Sequence, residues 1–483
     1  MTYIGKEIKK IAGCHPKRVA VKAEGESITY ESFLDSIQSL NKNLHSVFSN
    51  MKGRKIGFLL ENSPQWLEVF LAVSESGGIA LPLDPKWSSA QLISVISEAE
   101  PDLVIFDSCY TERVDHLSFA VSMDELKRLP GADKIGRPVS DQHPFYIGYT
   151  SGTTSQPKGF VRSHASWANC FLKGKEVFSL KESDQILCPG PMVHSHFLYA
   201  AVQALHIGAT LHLTSSFDGE KVLNLLQTEQ ISVLYIVPTM FEAMYKFKSK
   251  GAPPKLTTLI SSGAKWPVSS KIEALEFFSD ASIYEFYGAS ELSFVSYKLL
   301  KNQNLQEETI GVPFPDVEIS IITSTGRPAR QGEVGQLYIK SPWVFDGYLN
   351  RPEETKQVFY EQWATVGDLG FKDECGQIIL KGRSQNMIIS GGLNIYPEEV
   401  EQVIRKHPNI YEAVVKGIED KYWGEKVVAF ITCKEGKQPH IDDLISLVFH
   451  HLPKYKCPKE WVVLEEFPYT SSGKIARKEL TIS

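Results

Sequence analysis

The sequence predicts an α/β fold followed by a smaller α+β domain, and three features of the residue pattern support this. Over the first two thirds of the chain, short apolar runs alternate with helical segments, which is typical of βαβ units and largely parallel sheets. Near residue 311, alternating strands separated by Gly and Pro turns indicate a small antiparallel barrel. After residue 385, strands and helices form a compact unit, so we predict domains at 1–384 and 385–483.

The predicted strands of the first domain are short, and the first of them is an apolar run of the kind expected for a strand buried on both faces. They are KIGFLL from Lys55, IALPL from Ile79, DLVIF from Asp102, ATLHLT from Ala209, SVLYIV from Ser232, LTTLIS from Leu256 and ASIYEFYG from Ala281. Between the first two, NSPQWLEVFLAVSESGG predicts a helix, because Ser63 can cap it, Pro64 suits its first turn and two glycines end it.

The later elements are predicted in the same way. VEISIIT and GEVGQLYIK alternate as strands of the small barrel. YPEEVEQVIRKHP is a helix that begins at Pro397 and stops before Pro408, and IDDLISLVFHHL is a second helix. YEAVVKGI, KVVAFITC and EWVVLEEF complete the C-terminal unit as strands.

Composition narrows the class of protein. The chain has 483 residues, 42% of them apolar, and a net charge of −6 with acids and bases mixed, which is unlike a dedicated nucleic-acid binder. No signal-peptide core and no apolar run of about 20 residues is present, so no integral membrane segment is expected. Seven scattered cysteines predict buried thiols in a reducing compartment, and hence a cytoplasmic protein.

One short segment carries the strongest chemical signal. YTSGTTSQPKG, from Tyr149 to Gly159, overlaps the end of the predicted strand YIGYT and combines five serine and threonine residues, two glycines and a lysine. Glycines let backbone N–H groups approach an anion, hydroxyls donate hydrogen bonds and lysine supplies positive charge, so the segment predicts a phosphate cradle. By composition alone it could also be a flexible surface loop. A Walker A motif is absent, and Pro157 spoils the helical turn that an S-x-x-K motif needs.

The segment resembles the phosphate-binding signature of the adenylate-forming superfamily, which comprises acyl-CoA synthetases, peptide-synthetase adenylation domains and luciferases. Further motifs of that family follow in order along the chain. They are PMVHSH from Pro191, SSGAK from Ser261, YGASE from Tyr287, VGDLG from Val366, GRSQNMIISGGLNIYPEEVE from Gly382 and PYTSSGKIAR from Pro468. The resemblance therefore covers nearly the whole chain, since ITYESF from Ile28 is also similar to the family's N-terminal segment.

The resemblance implies two doubly wound, mostly parallel sheets in the large domain and a mobile C-terminal lid. It also implies two half-reactions with ATP, Mg²⁺ and coenzyme A. A carboxylate attacks the α-phosphate of ATP to give acyl-AMP and pyrophosphate, and a thiol then takes the acyl group and releases AMP. Because the first step brings two anions together, catalysis should depend on charge neutralisation and positioning.

By the same resemblance, most of the site residues bind ATP. The residues implied for the β- and γ-phosphates are Thr150, Ser151, Gly152, Thr153, Thr154 and Lys158. Glu291 is implied as the Mg²⁺ ligand and Ser290 as a donor to the α-phosphate. Those implied around adenine are Tyr287, Gly288, Gly263, Ala264 and Lys265.

The remaining implied roles belong to the ribose, the acid and the acceptor. Asp368 would accept hydrogen bonds from the ribose hydroxyls, and Arg383 would contact the ribose or phosphate. The catalytic lysine would be Lys474, which acts with Glu291 and Thr153. His194 would lie beside the acyl pocket, Gly391 and Gly392 would line the pantetheine tunnel, and Gln385 would be the hinge.

Four positions depart from the family pattern. They are Ser155 for Gly, Val366 for Thr, Gln385 for Asp or Lys and Asn386 for Asp. If the backbone at residue 155 needs a positive φ, serine would strain it by about 1 kcal/mol.

An amino acid is not expected as the substrate, because VHSHFLYA lacks the aspartate with which amino-acid-activating members of the family hold an ammonium group. A fatty acid or an aryl acid fits better, and the segment GYTSGTTSQPKGFVRSHASW from Gly148 resembles fatty acid ligases, so a fatty acid is expected. We predict a stand-alone fatty acid:CoA ligase of fatty acid metabolism. Three alternatives remain: an acyl-AMP ligase that loads a separate carrier protein, an aryl-acid:CoA ligase, or a non-catalytic nucleotide-binding regulator. No coiled-coil heptad appears, so no oligomeric state is predicted.

Overall fold

The chain folds into two compact units. The first takes the described residues of 1–307, 311–318 and 340–364, and the second those of 308–310, 319–339 and 365–483. The computed structural model describes residues 2–133, 140–150, 157–251, 254–301, 305, 309–390, 393–434, 437, 439–470 and 475–482. The predicted domain boundary at residue 385 stays a prediction.

The first unit contains two sheets in which most neighbouring strands are parallel, as the sequence predicts. From edge to edge, the larger sheet has the strands Val312–Pro313, Ser293–Leu299, Ser282–Ala289, Thr258–Ser261, Val233–Ile236, Gln185–Cys188, Thr210–Leu213, Val19–Ala23 and Glu26–Thr29. Its central strands Val233–Ile236 and Thr258–Ser261 are buried along their full length, as expected for strands covered on both faces. Among its described strands, antiparallel pairs occur only near the two edges of the sheet.

The second sheet of this unit has its parallel part at one side. Its described strands run, from edge to edge, Gly347–Tyr348, Lys158–Ser163, Pro144–Thr150, Ile79–Pro82, Lys55–Leu59, Leu103–Phe106 and Ala120–Ser122. Among the first three strands, each neighbouring pair is antiparallel. Strands Phe359–Tyr360 and Trp363–Ala364 form a short antiparallel hairpin.

The helix predicted in NSPQWLEVFLAVSESGG begins and ends at the predicted signals. The Trp66 N–H donates to the Ser63 hydroxyl at 3.3 Å to cap the predicted helix, Pro64 opens it, and Gly77 follows its end with φ 88°. The α-helices are Lys6–Cys14, Tyr30–Val47, Pro64–Glu75, Ser89–Ala99, Thr111–Val114, Met123–Arg128, His164–Val177, Ser195–Ile207, Gly219–Thr228, Pro238–Tyr245, Val268–Phe277 and Pro352–Val358. Short 3₁₀ turns occur at Ser108–Tyr110 and Lys248–Lys250.

The second unit combines an antiparallel sheet with an α+β subdomain. Strands Glu318–Ile322, Gly335–Lys340, Asp368–Lys372 and Ile378–Arg383 pair in this order. The other sheet has strands Leu393–Ile395, Ile388–Ser390, Gly424–Cys433, Ile410–Asp420 and Glu460–Leu464. Helices Pro397–Ile404 and Ile441–His451 pack on this sheet around buried residues such as Val400, Ile431 and Leu444. The 3₁₀ turns are Ser384–Asn386, Lys454–Lys456 and Arg477–Glu479.

The cysteines only partly match the expectation of buried thiols. All seven are free, and Cys170, Cys188 and Cys457 are buried. Cys14, Cys109 and Cys375 are exposed, so for these three the prediction is wrong. Each sits on the surface side of a helix end or turn, a position that scattered spacing does not reveal. Within the described part of the chain, no helix combines the length and apolar character needed to cross a membrane.

Candidate active site

The predicted phosphate loop connects two antiparallel strands. Pro144–Thr150 pairs with Lys158–Ser163, and Thr150 lies opposite Lys158. The sequence predicts the first strand but not its antiparallel partner. Ser151, Gly152, Thr153, Thr154 and Ser155 lie outside the described residues, so their predicted contacts with phosphate stay predictions.

Lys158 belongs to a chain of charged side chains on the first unit. Its ammonium group forms an ion pair with Glu354, which also accepts a hydrogen bond from Arg351 at 3.1 Å. Arg351 in turn pairs with Glu98 at 2.8 Å. The hydrogen bond from Lys158 is the main cause that holds the pKa of Glu354 below its usual range. A bound polyphosphate would therefore compete with Glu354 for this lysine.

Glu291 lies in the turn between strands Ser282–Ala289 and Ser293–Leu299 and is held from several sides. The Tyr348 hydroxyl donates to its carboxylate Oε1 at 2.8 Å. The Phe345 N–H donates to its backbone carbonyl at 2.8 Å, and Arg162 Nη1 approaches the same carbonyl at 3.4 Å. The position of this candidate metal ligand is thus set by segment 343–348.

Arg162 is a buried cation beneath this turn. Only 1% of the residue is exposed, and its Nη1 also donates to the Trp343 carbonyl at 2.8 Å. Burial lowers the pKa of Arg162 to about 10, so the guanidinium stays charged at neutral pH. Its charge and its two carbonyl contacts tie the Glu291 turn to segment 343–348.

The residues predicted around adenine meet at one edge of the larger sheet. Strands Thr258–Ser261 and Ser282–Ala289 are parallel neighbours, so the turns after them lie side by side. The Ser262 hydroxyl donates to the Phe286 carbonyl at 2.8 Å and fixes the first turn, in which Gly263 has φ +89°. Ala264 and Lys265 are exposed there, and Tyr287 is half-buried.

Gly288 has a steric reason to be glycine. A Cβ at this position would overlap the Ser293 carbonyl oxygen of the returning strand. The strand register shifts at this point, between Tyr287 and Gly288. The glycine of the YGASE motif therefore allows the bulge that precedes Ser290 and Glu291.

Ser195, to which the sequence analysis gives no role, connects His194, predicted beside the acid, with Ser290, predicted at the α-phosphate. Ser195 Oγ lies 2.9 Å from Ser290 Oγ. His194 precedes Ser195 as the N-cap residue of helix Ser195–Ile207. His196 Nε2 contacts the Ile236 carbonyl at 3.2 Å and its ring packs against Phe197, which indicates a structural role for this second histidine.

In the second unit, Asp368 and Arg383 lie opposite each other in neighbouring strands. The Arg383 Nε donates to Asp368 Oδ1 at 3.1 Å, and only 6% of Asp368 is exposed. Gly367 precedes Asp368 with φ +80°, and the Thr365 hydroxyl accepts from the Gly367 N–H at 3.2 Å. That hydroxyl steadies the turn although valine stands at the usual threonine position.

Asn386, which stands where the family pattern has aspartate, has a hydrogen-bond partner nearby in the second unit. Gln385 is exposed in the turn Ser384–Asn386, and Asn386 Nδ2 donates to Glu398 Oε1 at 2.9 Å. A Cβ at Gly382 would overlap the same Glu398 carboxylate. Glu398 thus contacts the chain on both sides of the predicted hinge residue, and an aspartate at 386 would face another carboxylate.

Asn386→Asp is therefore expected to destabilise the second unit by about 2 kcal/mol at neutral pH. Burial raises the pKa of Glu398. The stability that this carboxyl group contributes to the fold is therefore complete below the ordinary glutamate pKa of about 4.3, and it is lost as the pH rises through the raised pKa. A second carboxylate raises that pKa further. The deficit in melting temperature should therefore grow as the pH rises above the ordinary glutamate pKa of about 4.3.

Two controls separate this repulsion from a general effect of added charge. Asn394→Asp, at an exposed position of the same unit, should leave the melting temperature almost unchanged. Adding Glu398→Gln to Asn386→Asp should restore it. An Asn386→Asp deficit that does not depend on pH would contradict the explanation.

Gly391, Gly392 and Lys474 lie outside the described residues, and their roles stay predictions. Among the residues that are described, no group of three His, Cys, Asp or Glu side chains could form a metal cage. Mg²⁺ rarely needs such a cage, because one or two carboxylates plus substrate phosphates and water usually hold it. Glu291, a carboxylate fixed beside the lysine of the phosphate loop by a shared tyrosine, fits a nucleotide-bound Mg²⁺.

Comparison with known proteins identifies the family of the chain. The family model described as AMP-binding enzyme matches residues 8–349, and the AMP-binding enzyme C-terminal domain matches residues 399–474. An uncharacterized acyl–CoA ligase of Bacillus subtilis is 38% identical over 96% of this chain and 95% of its own. A 2-succinylbenzoate–CoA ligase of Bacillus mycoides is 29% identical, with 96% of this chain and 95% of its own covered.

A solved structure gives the same result for the fold. The o-succinylbenzoate CoA synthetase of Bacillus subtilis, bound to its acyl-adenylate intermediate, is 26% identical and superposes with a TM-score of 0.90. The match covers 99% of this chain and 98% of that one. The same synthetase has also been solved with ATP and a magnesium ion.

Proposed function

Because this chain belongs to the AMP-binding enzyme family, we propose that it is an AMP-forming acid:CoA ligase whose acid carries an aromatic ring. The observation that carries the proposal is full-length similarity to ligases whose named substrate is an aromatic acid, 2-succinylbenzoate. This favours the aryl-acid alternative over the fatty acid that we expected from the sequence. ATP, Mg²⁺ and coenzyme A are the cofactors and co-substrates.

In the first half-reaction, a carboxylate oxygen of the acid forms a bond to the α-phosphorus and the bond to pyrophosphate breaks. We propose that Lys158 holds the terminal phosphates after it leaves Glu354, and that Ser290 donates to the α-phosphate. Glu291 would hold Mg²⁺, which neutralises phosphate charge when bound. Tyr287 and the turn at Ala264 would flank adenine.

In the second half-reaction, the CoA thiol loses its proton and its sulfur bonds to the acyl carbon, while the bond from that carbon to the phosphate oxygen breaks and AMP leaves. We propose that Asp368 and Arg383 hold the ribose and that Lys474 bridges the acid and the α-phosphate during adenylation. Gly391 and Gly392 would border the pantetheine arm, and His194 would border the acid. The short link from His194 through Ser195 to Ser290 supports the placement of acid beside the α-phosphate.

The test is AMP release from Mg·ATP with a panel of acids, with and without CoA. The panel contains 2-succinylbenzoate, benzoate, an arylacetate, malonate and fatty acids of short, medium and long chain. AMP release that needs both an aromatic acid and CoA supports the proposal. Preference for a fatty acid would overturn the aromatic assignment but keep the ligase. Turnover with a phosphopantetheinylated carrier protein in place of CoA would favour the carrier-loading alternative.

A further inference from the structure

Tyr348 contacts both charged residues that we assign to Mg·ATP in the first unit. Its hydroxyl donates to Glu291 Oε1 at 2.8 Å, and the Nζ of Lys158 lies 5.7 Å from the centre of its ring. The two residues are 133 positions apart in sequence, yet one side chain touches each. We propose that Tyr348 is a positioning residue that orients Glu291 for the metal and keeps Lys158 beside it.

The orientation of Tyr348 is itself determined by packing. Its backbone pairs with Phe160, in the strand that begins with Lys158. Its N–H donates to the Thr355 hydroxyl at 2.9 Å, and that hydroxyl donates to the Arg351 carbonyl at 2.8 Å. The ring of Phe345 packs against its ring edge to face, with centres 5.0 Å apart. The hydroxyl is thus aimed at Glu291 without any ligand.

A tyrosine suits this position better than a cation would. A hydrogen bond from a neutral hydroxyl fixes the carboxylate but does not cancel its charge, and it occupies one of about four acceptor positions on the two oxygens. The remaining positions stay suitable for a metal. Lys158, which carries the nearby positive charge, pairs with Glu354 and the tyrosine ring. The arrangement therefore keeps a negative metal ligand and a positive phosphate ligand close together.

This inference rests on the proposed function only in placing Mg·ATP at Glu291 and Lys158. Its test therefore measures binding, with no acid and no CoA. Mn²⁺ replaces Mg²⁺ and is titrated by electron paramagnetic resonance into the full-length protein with a non-hydrolysable ATP analogue. Tyr348→Phe keeps the ring and removes the hydroxyl, and we expect it to weaken Mn²⁺ binding about 10-fold, as loss of a metal ligand's outer partner does.

Further variants test the contact of Tyr348 with Glu291 separately from its contact with Lys158. Tyr348→Phe should leave binding of the metal-free analogue nearly unchanged, because the ring beside Lys158 remains. Tyr348→Leu, which also removes the ring, should weaken binding of the metal-free analogue as well. Tyr360→Phe, at a tyrosine that is 64% exposed in the same unit, is the matched control and should change neither.

The outcomes are distinct from those of the ligase assay. A folded Tyr348→Phe protein, with wild-type melting temperature and wild-type Mn²⁺ affinity, would overturn the positioning role. A wild-type protein that binds no Mn²⁺·nucleotide would also overturn it. If the wild type binds Mn²⁺·nucleotide and Tyr348→Phe weakens this, but no acid in the panel is consumed, the positioning role stands and the proposed function fails.

Discussion

Glu291→Gln is expected to lower kcat/KM for Mg·ATP by about 10²- to 10³-fold, the usual cost of losing one preorganised electrostatic contact in a transition state. Glutamine has the same shape, and its amide oxygen can still accept the hydrogen bond from Tyr348. The backbone contacts from Phe345 and Arg162 do not involve the side chain, so the turn should keep its place. What is lost is the negative charge that a hard cation prefers.

The measurement is ATP–pyrophosphate exchange with the preferred acid as Mg²⁺ is varied. Part of the activity should return at high Mg²⁺, because a weakened ligand site fills at higher metal concentration. Glu276→Gln, on the exposed side of helix Val268–Phe277, is the matched control and should behave as wild type. A Glu291→Gln enzyme within about threefold of wild type would remove Glu291 from the metal site.

Lys474→Ala is expected to slow adenylation by about 10³-fold, because a carboxylate and the α-phosphate must approach each other without a cation between them. Thioester formation from a supplied acyl-adenylate should change much less, since the acid is then already joined to AMP. The two half-reactions are therefore measured separately, by ATP–pyrophosphate exchange and by CoA-dependent release of AMP from the acyl-adenylate. The loss should appear only in the first.

Lys478→Ala is the control for this variant. It removes an exposed lysine four positions along the chain, in the turn Arg477–Glu479, and should leave both half-reactions intact. If Lys474→Ala kept normal adenylation, the assignment of the catalytic lysine would be wrong. If it lost both half-reactions equally, the lysine would instead be a general AMP ligand.

The strands of the larger sheet illustrate how far local pattern can predict structure. SVLYIV and LTTLIS are short segments rich in β-branched and aliphatic residues, and both contain parallel strands buried on both faces. The antiparallel returns, Lys158–Ser163 and Ser293–Leu299, were not predicted. The first contains Arg162, which reads as a surface residue until its carbonyl partners are known.

The contacts of the site residues were equally hidden from sequence reasoning. Tyr348 reaches Glu291 across 57 positions, and Lys158 reaches Glu354 across 196. Tyr348 and Glu354 lie outside the motifs on which the family resemblance rests, and no periodicity links residues so far apart. Glu398 was likewise unnoticed as the acceptor for Asn386, although the unusual asparagine was visible.

The sequence by itself determined the order of the elements, the types of reactive side chain and, through its ordered motifs, the family. These depend on local preferences and on short spacings, which a single chain displays directly. Only the tertiary structure decided which side chains meet: Tyr348 with Glu291, Ser195 with Ser290, and Glu398 with Asn386. Such pairs form when folding brings separate strands and turns together at one sheet edge or one turn. The local residue pattern does not specify which of these segments will come into contact.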